Sequence, residues 1–224
     1  ADAGADRMTA ERNNVANDRV GVDGTGDPTA RQIAAIGDDG FETEDLQQPE
    51  LSAEGTPDAE AKVARVRAIL EMVSRGEVDA ARAAVAELKA QMPDSGTPRE
   101  LEALVLWRAG ERDAAIAAME ALHQENPESV ARATNLSQMH RALNAPEAAL
   151  AVIQRAIHAG ASDVRLHGEA ARAYAVLGDT EGMGEQLRAA LELDPGNLRV
   201  RTVLARFHLQ QGQAQQVIDM MQSA

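Results

Sequence analysis

The stretch LGDTEGMGEQLRAALELDPGN, residues 177–197, reads as one helix between two breakers, with Gly178 and Asp179 opening it and Pro195 and Gly196 closing it. RAGERDAAIAAMEALHQENPES, residues 108–129, has the same layout. The likeness is periodic: Gly76, Gly110, Asn144, Gly178 and Gly212 follow one another at a constant interval of thirty-four positions. Pro93, Pro127 and Pro195 fall at the midpoint of that interval, and Ala161 fills the remaining slot. Five positions after each glycine slot stand Ala81, Ala115, Ala149, Met183 and Val217, and four further on Val85, Met119, Ile153, Leu187 and Met221. Agreement at five registers exceeds coincidence and makes the repeat the first fact about the chain.

Each repeated position has a physical role. The glycine, or Asn144 in its place, sits between two antiparallel helices, where a left-handed backbone is needed. A small residue soon after lets the second helix approach the first, and proline ends the unit because it cannot continue a helix. Val63, Val66, Ile69, Leu70 and Val73 recur at spacings of three and four, the mark of an amphipathic helix, and no alternating strand pattern competes. Two departures stand out. Glu102 occupies a position usually apolar, and Gly182 and Gly184 lie inside a second helix at a cost of ~1 kcal/mol each.

A unit of this period, with Gly, small, large apolar and Pro in this order, resembles the tetratricopeptide repeat. The resemblance covers 62–95, 96–129, 130–163, 164–197 and a shortened 198–224, within a repeat domain of 61–224. It implies an all-α fold, a right-handed α-solenoid with a concave groove, because one helical hairpin cannot bury its apolar face and stacking does.

Composition narrows the function classes. The chain has 224 residues, 44% hydrophobic, with one Trp, one Tyr and two Phe, so its core is aliphatic. Absence of cysteine excludes disulfides, Cys-held zinc or iron–sulfur clusters and thiol nucleophiles. No apolar run approaches the ~20 residues of a transmembrane helix. The formal charge of −14 argues against nucleic acid or an anionic membrane as partner. Residues 1–60 hold 15 acidic and 4 basic groups, a net of −11, against −3 for residues 61–224. Poor in large apolar side chains, residues 1–60 read as an acidic segment largely without order. One short helix is expected at 28–36, where Asp27 caps, Pro28 takes the first position and Gly37 follows Ile36. The opening ADAG suits a processed chain or a fragment.

In the family that the repeat resembles, a protein segment lies along the first helix of each pair. Carried over by register, that face is Val63, Val66, Leu70 and Val73; Thr97, Glu100, Leu104 and Trp107; Ala131, Thr134, Gln138 and Arg141; Arg165, Gly168, Arg172 and Ala175; Arg199, Thr202, Arg206 and Leu209. The groove is apolar at its start and basic at its end. Arg165 with Arg172, and Arg199 with Arg206, stand seven apart on one helix face. With Arg141 they form a guanidinium row suited to an acidic or C-terminal carboxylate peptide. The row is similar to the carboxylate clamps of chaperone-binding tetratricopeptide domains. However, the clamp lysines are missing, Lys62 and Lys89 being the only lysines, and Asn135 is the sole candidate for the clamp Asn. The same arginines also suit solvated faces or pairing with local carboxylates such as Asp163 or Glu169. A further variant has the acidic N-terminal segment occupying the groove itself.

An enzyme is the contrasting class. His123, His140, His158, His167 and His208 lie in separate helices without metal-ligand spacing, and His140, Tyr174 and His208 share one packing register. Asp23 to Pro28 looks like a calcium loop, but Ala34 stands where the closing Glu belongs. The expectation is therefore no enzyme, no metal and no cofactor.

The third class is a structural scaffold. The last helix carries Val217, Ile218, Met220 and Met221 with no polar cap after it, which suits a piece of a longer array or pairing with a second copy. The composition, 45 Ala against two Lys, looks bacterial, cytoplasmic or periplasmic. The strings RGEVDAARAAVAELKAQMPDSG (75–96) and NLSQMHRALNAPEAALAVIQRAI (135–157) look similar to tetratricopeptide proteins that accompany exopolysaccharide and exosortase-type export.

Overall fold

The computed structural model describes residue 41 and residues 57–222. The helix expected at 28–36, and the low order expected for most of residues 1–60, fall outside them. Ten helices follow one another among the described residues: α1 Pro57–Arg75, α2 Val78–Gln91, α3 Gly96–Arg108, α4 Arg112–Glu125, α5 Val130–Ala142, α6 Pro146–His158, α7 Val164–Leu177, α8 Thr180–Leu193, α9 Leu198–Gln210 and α10 Ala214–Gln222. They form five successive pairs, an all-α solenoid. α1 begins at Pro57, inside the segment read as the acidic tail.

Within each pair the chain reverses over a left-handed residue at the repeated position: Gly76 (φ 77°), Gly110 (85°), Asn144 (57°), Gly178 (75°) and Gly212 (71°). The amide after it closes the turn on a carbonyl five positions back, as in Glu77 N to Met72 O (2.9 Å) and Asp179 N to Tyr174 O (3.0 Å). Between pairs, the first helix of the next unit is capped on the same period. The side chains of Ser95, Ser129, Asp163 and Asn197 accept from the amides of Thr97, Arg132, Arg165 and Val200. Each cap stands two positions after a proline slot. Where Ala161 replaces proline, Gly160 takes φ 107° and the Ala161 amide bonds to Ala156 O at 3.0 Å, so α6 stops by a glycine turn instead.

Stacking buries one apolar cluster running from Val66 through α7 and a second from Ala171 to Phe207. α7 serves both, giving Leu166 and Ala170 to the first and Ala171 and Ala175 to the second. The small register residues Ala81, Ala115 and Ala149 are fully buried. Gly182 and Gly184, read from sequence as a cost, are sites of close approach. A methyl on Gly184 would stand 2.8 Å from the Phe207 ring, and one on Gly182 2.8 Å from the Tyr174 ring.

Two opposite effects of glycine can be separated. Gly184→Ala gains ~1 kcal/mol of helix propensity but overpacks Phe207, and a net loss of about 1 kcal/mol or more is expected. Gly178→Ala loses a comparable amount by forcing a side chain into a left-handed backbone. Asn144→Gly, at the same register, is neutral or stabilising. Urea unfolding followed by circular dichroism ranks the three; a stabilised Gly184→Ala protein would contradict the packing.

Candidate partner-binding site

The register expected to line a groove has two fates. In the middle units most of it is buried. Thr97, Glu100, Leu104, Ala131, Thr134, Gly168, Arg172 and Ala175 are all buried, and Asn135 beside them has no exposed surface. Trp107, Gln138, Arg141 and Arg165 are half-buried. On α9, which no further unit covers among the described residues, Arg199, Thr202, Arg206 and Leu209 are exposed.

The guanidinium row divides accordingly. Arg141 Nε on α5 donates to Glu169 Oε2 on α7 at 3.0 Å, and Arg172 Nη1 donates to Glu169 Oε1. Glu169 is 2% exposed, so the two arginines converge on one buried carboxylate between units. Arg132 repeats the device one unit earlier, donating from Nε to the buried Glu100 Oε2 at 3.0 Å. Arg165 closes on its own helix cap, with Nε and Nη2 each 3.0 Å from a carboxylate oxygen of Asp163. Burial pushes the Asp163 carboxyl up, but the side-chain and amide bonds from Arg165, with His167 nearby, outweigh it and hold it below its usual range. Arg199 and Arg206, seven apart on α9, lie at the surface. Carboxylates inside the repeats thus claim Arg141 and Arg172, a helix cap claims Arg165, and no row runs the length of the repeats.

Trp107, at the apolar start of the register, has two partners. The Phe41 ring stands edge-on to it, centroids 6.0 Å apart at 88°. The Arg112 guanidinium lies 4.0 Å from its ring centroid, and Arg112 also donates to the Trp107 carbonyl. Phe41 escaped the sequence reading because it lies in a segment too polar to form a core. The only signal for it was its own isolation as a large aromatic among carboxylates.

Away from this register, a cavity of about 400 Å³ opens between α2 and α3, lined by Val85, Ala86, Ala90, Val105 and Leu106 with Arg82, Lys89 and Glu102. Lys89 Nζ reaches Glu102 at 2.7 Å. Glu102, polar where the repeat is usually apolar, thus has Lys89 of α2 as its partner.

The histidines stay apart. His123 is fully buried with neither ring nitrogen on a partner, while His140 faces Glu120 at 3.6 Å. His167 and His208 each meet a glutamine. No cluster of three metal-ligating side chains occurs among the described residues, and no described helix is long and apolar enough to cross a membrane.

No family model matches the chain, and no curated protein matches it. Solved structures do. TTC0263, a thermophilic TPR protein of Thermus thermophilus, is 20% identical with a TM-score of 0.51, over 73% of this chain and 89% of that one. The fold is tetratricopeptide-like. MamA from residue 41 to its end, from Desulfovibrio magneticus, gives 15% identity and a TM-score of 0.54 over 72% and 92% of the two chains. Another MamA crystal structure gives 15% and 0.54 over 73% and 89%. Identities this low speak for the fold alone.

Two measurements probe the buried polar groups. Burial, then the charges of Arg155 and Arg132, lower the His123 pKa, so the folded protein keeps this ring neutral. The unfolded chain takes up the proton first, and stability is expected to fall as pH drops below about 6.5. His123→Leu reduces that fall between pH 7.5 and about 5.5, read as the melting temperature at each pH. Glu169→Gln removes the charge of the buried carboxylate that Arg141 and Arg172 share and is expected to cost roughly 3–5 kcal/mol in urea unfolding.

Proposed function

We propose that the chain is a non-catalytic interaction module that holds a carboxylate-bearing segment of another protein at the exposed part of its inner register, as an adaptor in complex assembly. One observation carries this reading. Arg199 and Arg206 are exposed on one face of α9, two turns apart. A guanidinium binds a carboxylate through two parallel hydrogen bonds, so an exposed pair at this spacing suits an acidic peptide. In a chain of net charge −14, such a local basic face also directs approach.

A second reading is favoured by the same helix. Leu198 is 75% exposed and Leu209 56%, and α10 buries none of its residues. An apolar end of this kind fits a scaffold segment in a longer array, continued by another unit or by a second copy. A place in bacterial envelope or polysaccharide export is the narrower form of that reading. It is supported by the likeness of the strings at 75–96 and 135–157.

Affinity capture from the source cells separates the two. The adaptor reading expects partners that elute as salt rises and are lost with Arg199→Glu plus Arg206→Glu. That pair is preferable to any change at Arg172, whose loss would remove one of the two guanidiniums on the buried Glu169. Capture indifferent to both salt and the double variant would refute the adaptor reading.

A further inference from the structure

Phe41 is placed against the repeats although it lies well before Pro57 in the sequence. Its position is distant from where α1 begins. Trp107 ends α3 beside the last turn of α1, where Arg108 Nη2 donates to the Ser74 carbonyl at 3.3 Å. The 19 residues of α1 span ~28 Å, so Phe41 sits toward the end of α1 far from Pro57. The connection from Phe41 to Pro57 reaches ~50 Å when extended, which is ample.

The contact is of a recognition type. Phe41 packs against the first apolar cluster, as Leu70, Val73 and Trp107 do. The two rings are nearly perpendicular, the T-shaped arrangement that aromatic quadrupoles favour. The neighbourhood is cationic, with Arg112 on the indole ring and Arg108 next in sequence to Trp107. The sequence around Phe41 complements it: DDGFETED, residues 38–45, carries five carboxylates about one aromatic.

We propose that Trp107, with Arg108 and Arg112 beside it, is a seat for one aromatic side chain of an acidic peptide, and that the chain's own Phe41 is its resident occupant. An external segment must displace Phe41 to bind, so the module is self-occupied until a partner of the same chemistry competes. This rests on the adaptor reading and adds the ligand class and its control.

The test uses the full chain and a fluorescein-labelled peptide of residues 36–47, IGDDGFETEDLQ, read by anisotropy. Phe41→Ala in the protein is expected to tighten peptide binding about tenfold or more, since the resident competitor is gone. It also alters the emission of Trp107, the single tryptophan. Adding Trp107→Leu to the Phe41→Ala protein abolishes the gain, as does alanine in place of phenylalanine in the peptide. Circular dichroism confirms that the variants keep their helices. Equal peptide affinity for native and Phe41→Ala proteins would overturn the seat, as would equal binding of the alanine peptide, which would leave charge alone. Should capture be lost with Arg199→Glu plus Arg206→Glu while the peptide ignores Phe41, the adaptor reading stands and the seat falls. A peptide that obeys Phe41 where capture ignores the arginines gives the reverse.

Discussion

Two residues separate α1 from α2, and a helix can reverse within so short a span only if one residue adopts a left-handed backbone. The rest of the structure depends on that constraint being met at the same place each time. Four glycines and Asn144 meet it, and the bond from the following amide to a carbonyl five positions back locks each turn. Because the turn recurs at a constant interval, helices α2 to α9 are held to 13 or 14 residues. Equal helices stack in register, so a given repeat position meets the same surroundings in unit after unit.

That regularity explains the arginines. Arg172 and Arg141, at register positions, and Arg132 near them are wholly or partly enclosed in the stacked repeats. Enclosure without a partner would be costly, since a buried charge loses its hydration. Glu169 meets this need for Arg141 and Arg172, as Glu100 does for Arg132. The ties join first helices of successive units, α3 to α5 and α5 to α7, and so fix the alignment of one repeat on the next. α7 also carries residues of both apolar clusters, which puts the Glu169 tie at the seam between them. Only on α9, where no such enclosure occurs, do the same register positions keep their side chains exposed.

The turns, the breakers and the amphipathic helices were legible in the sequence because each is a local requirement with a narrow choice of residues. The caps at Ser95, Ser129, Asp163 and Asn197 were equally periodic and were overlooked, being varied in identity though alike in chemistry. Gly182 and Gly184 were misjudged as a weakness, since propensity takes no account of a phenyl ring from α9 or a phenol from α7 filling the space. The site was read less well. Face periodicity tells which side of a helix a residue occupies, but not whether a neighbouring helix will cover that side. Asn135 and Arg172 therefore looked available and are buried, whereas the alternative for the arginines, pairing with local carboxylates, is visible in Asp163 and Glu169. Phe41 was beyond reach because its contact with Trp107 joins distant parts of the chain with no pattern connecting them.

The two ends of the solenoid differ in kind. At the register of Leu101, Asn135, Glu169 and Val203, all buried against the preceding unit, the first unit has exposed Arg67. At that of Val105, Met139, Ala173 and Phe207 it has exposed Glu71. The first unit thus presents charge where later units present a packing surface. The opposite end presents Leu198, Leu209, Ile218 and Met221 to solvent. A copy added head to tail would set Arg67 and Glu71 against those leucines, a desolvation penalty repeated at each joint of an open filament. Two such apolar ends placed face to face incur no such penalty, nor does a further repeat laid over α9 and α10. The first unit and the last helix pair therefore offer a neighbour different surfaces, charge at Arg67 and Glu71 against apolar side chains at Leu198, Leu209, Ile218 and Met221.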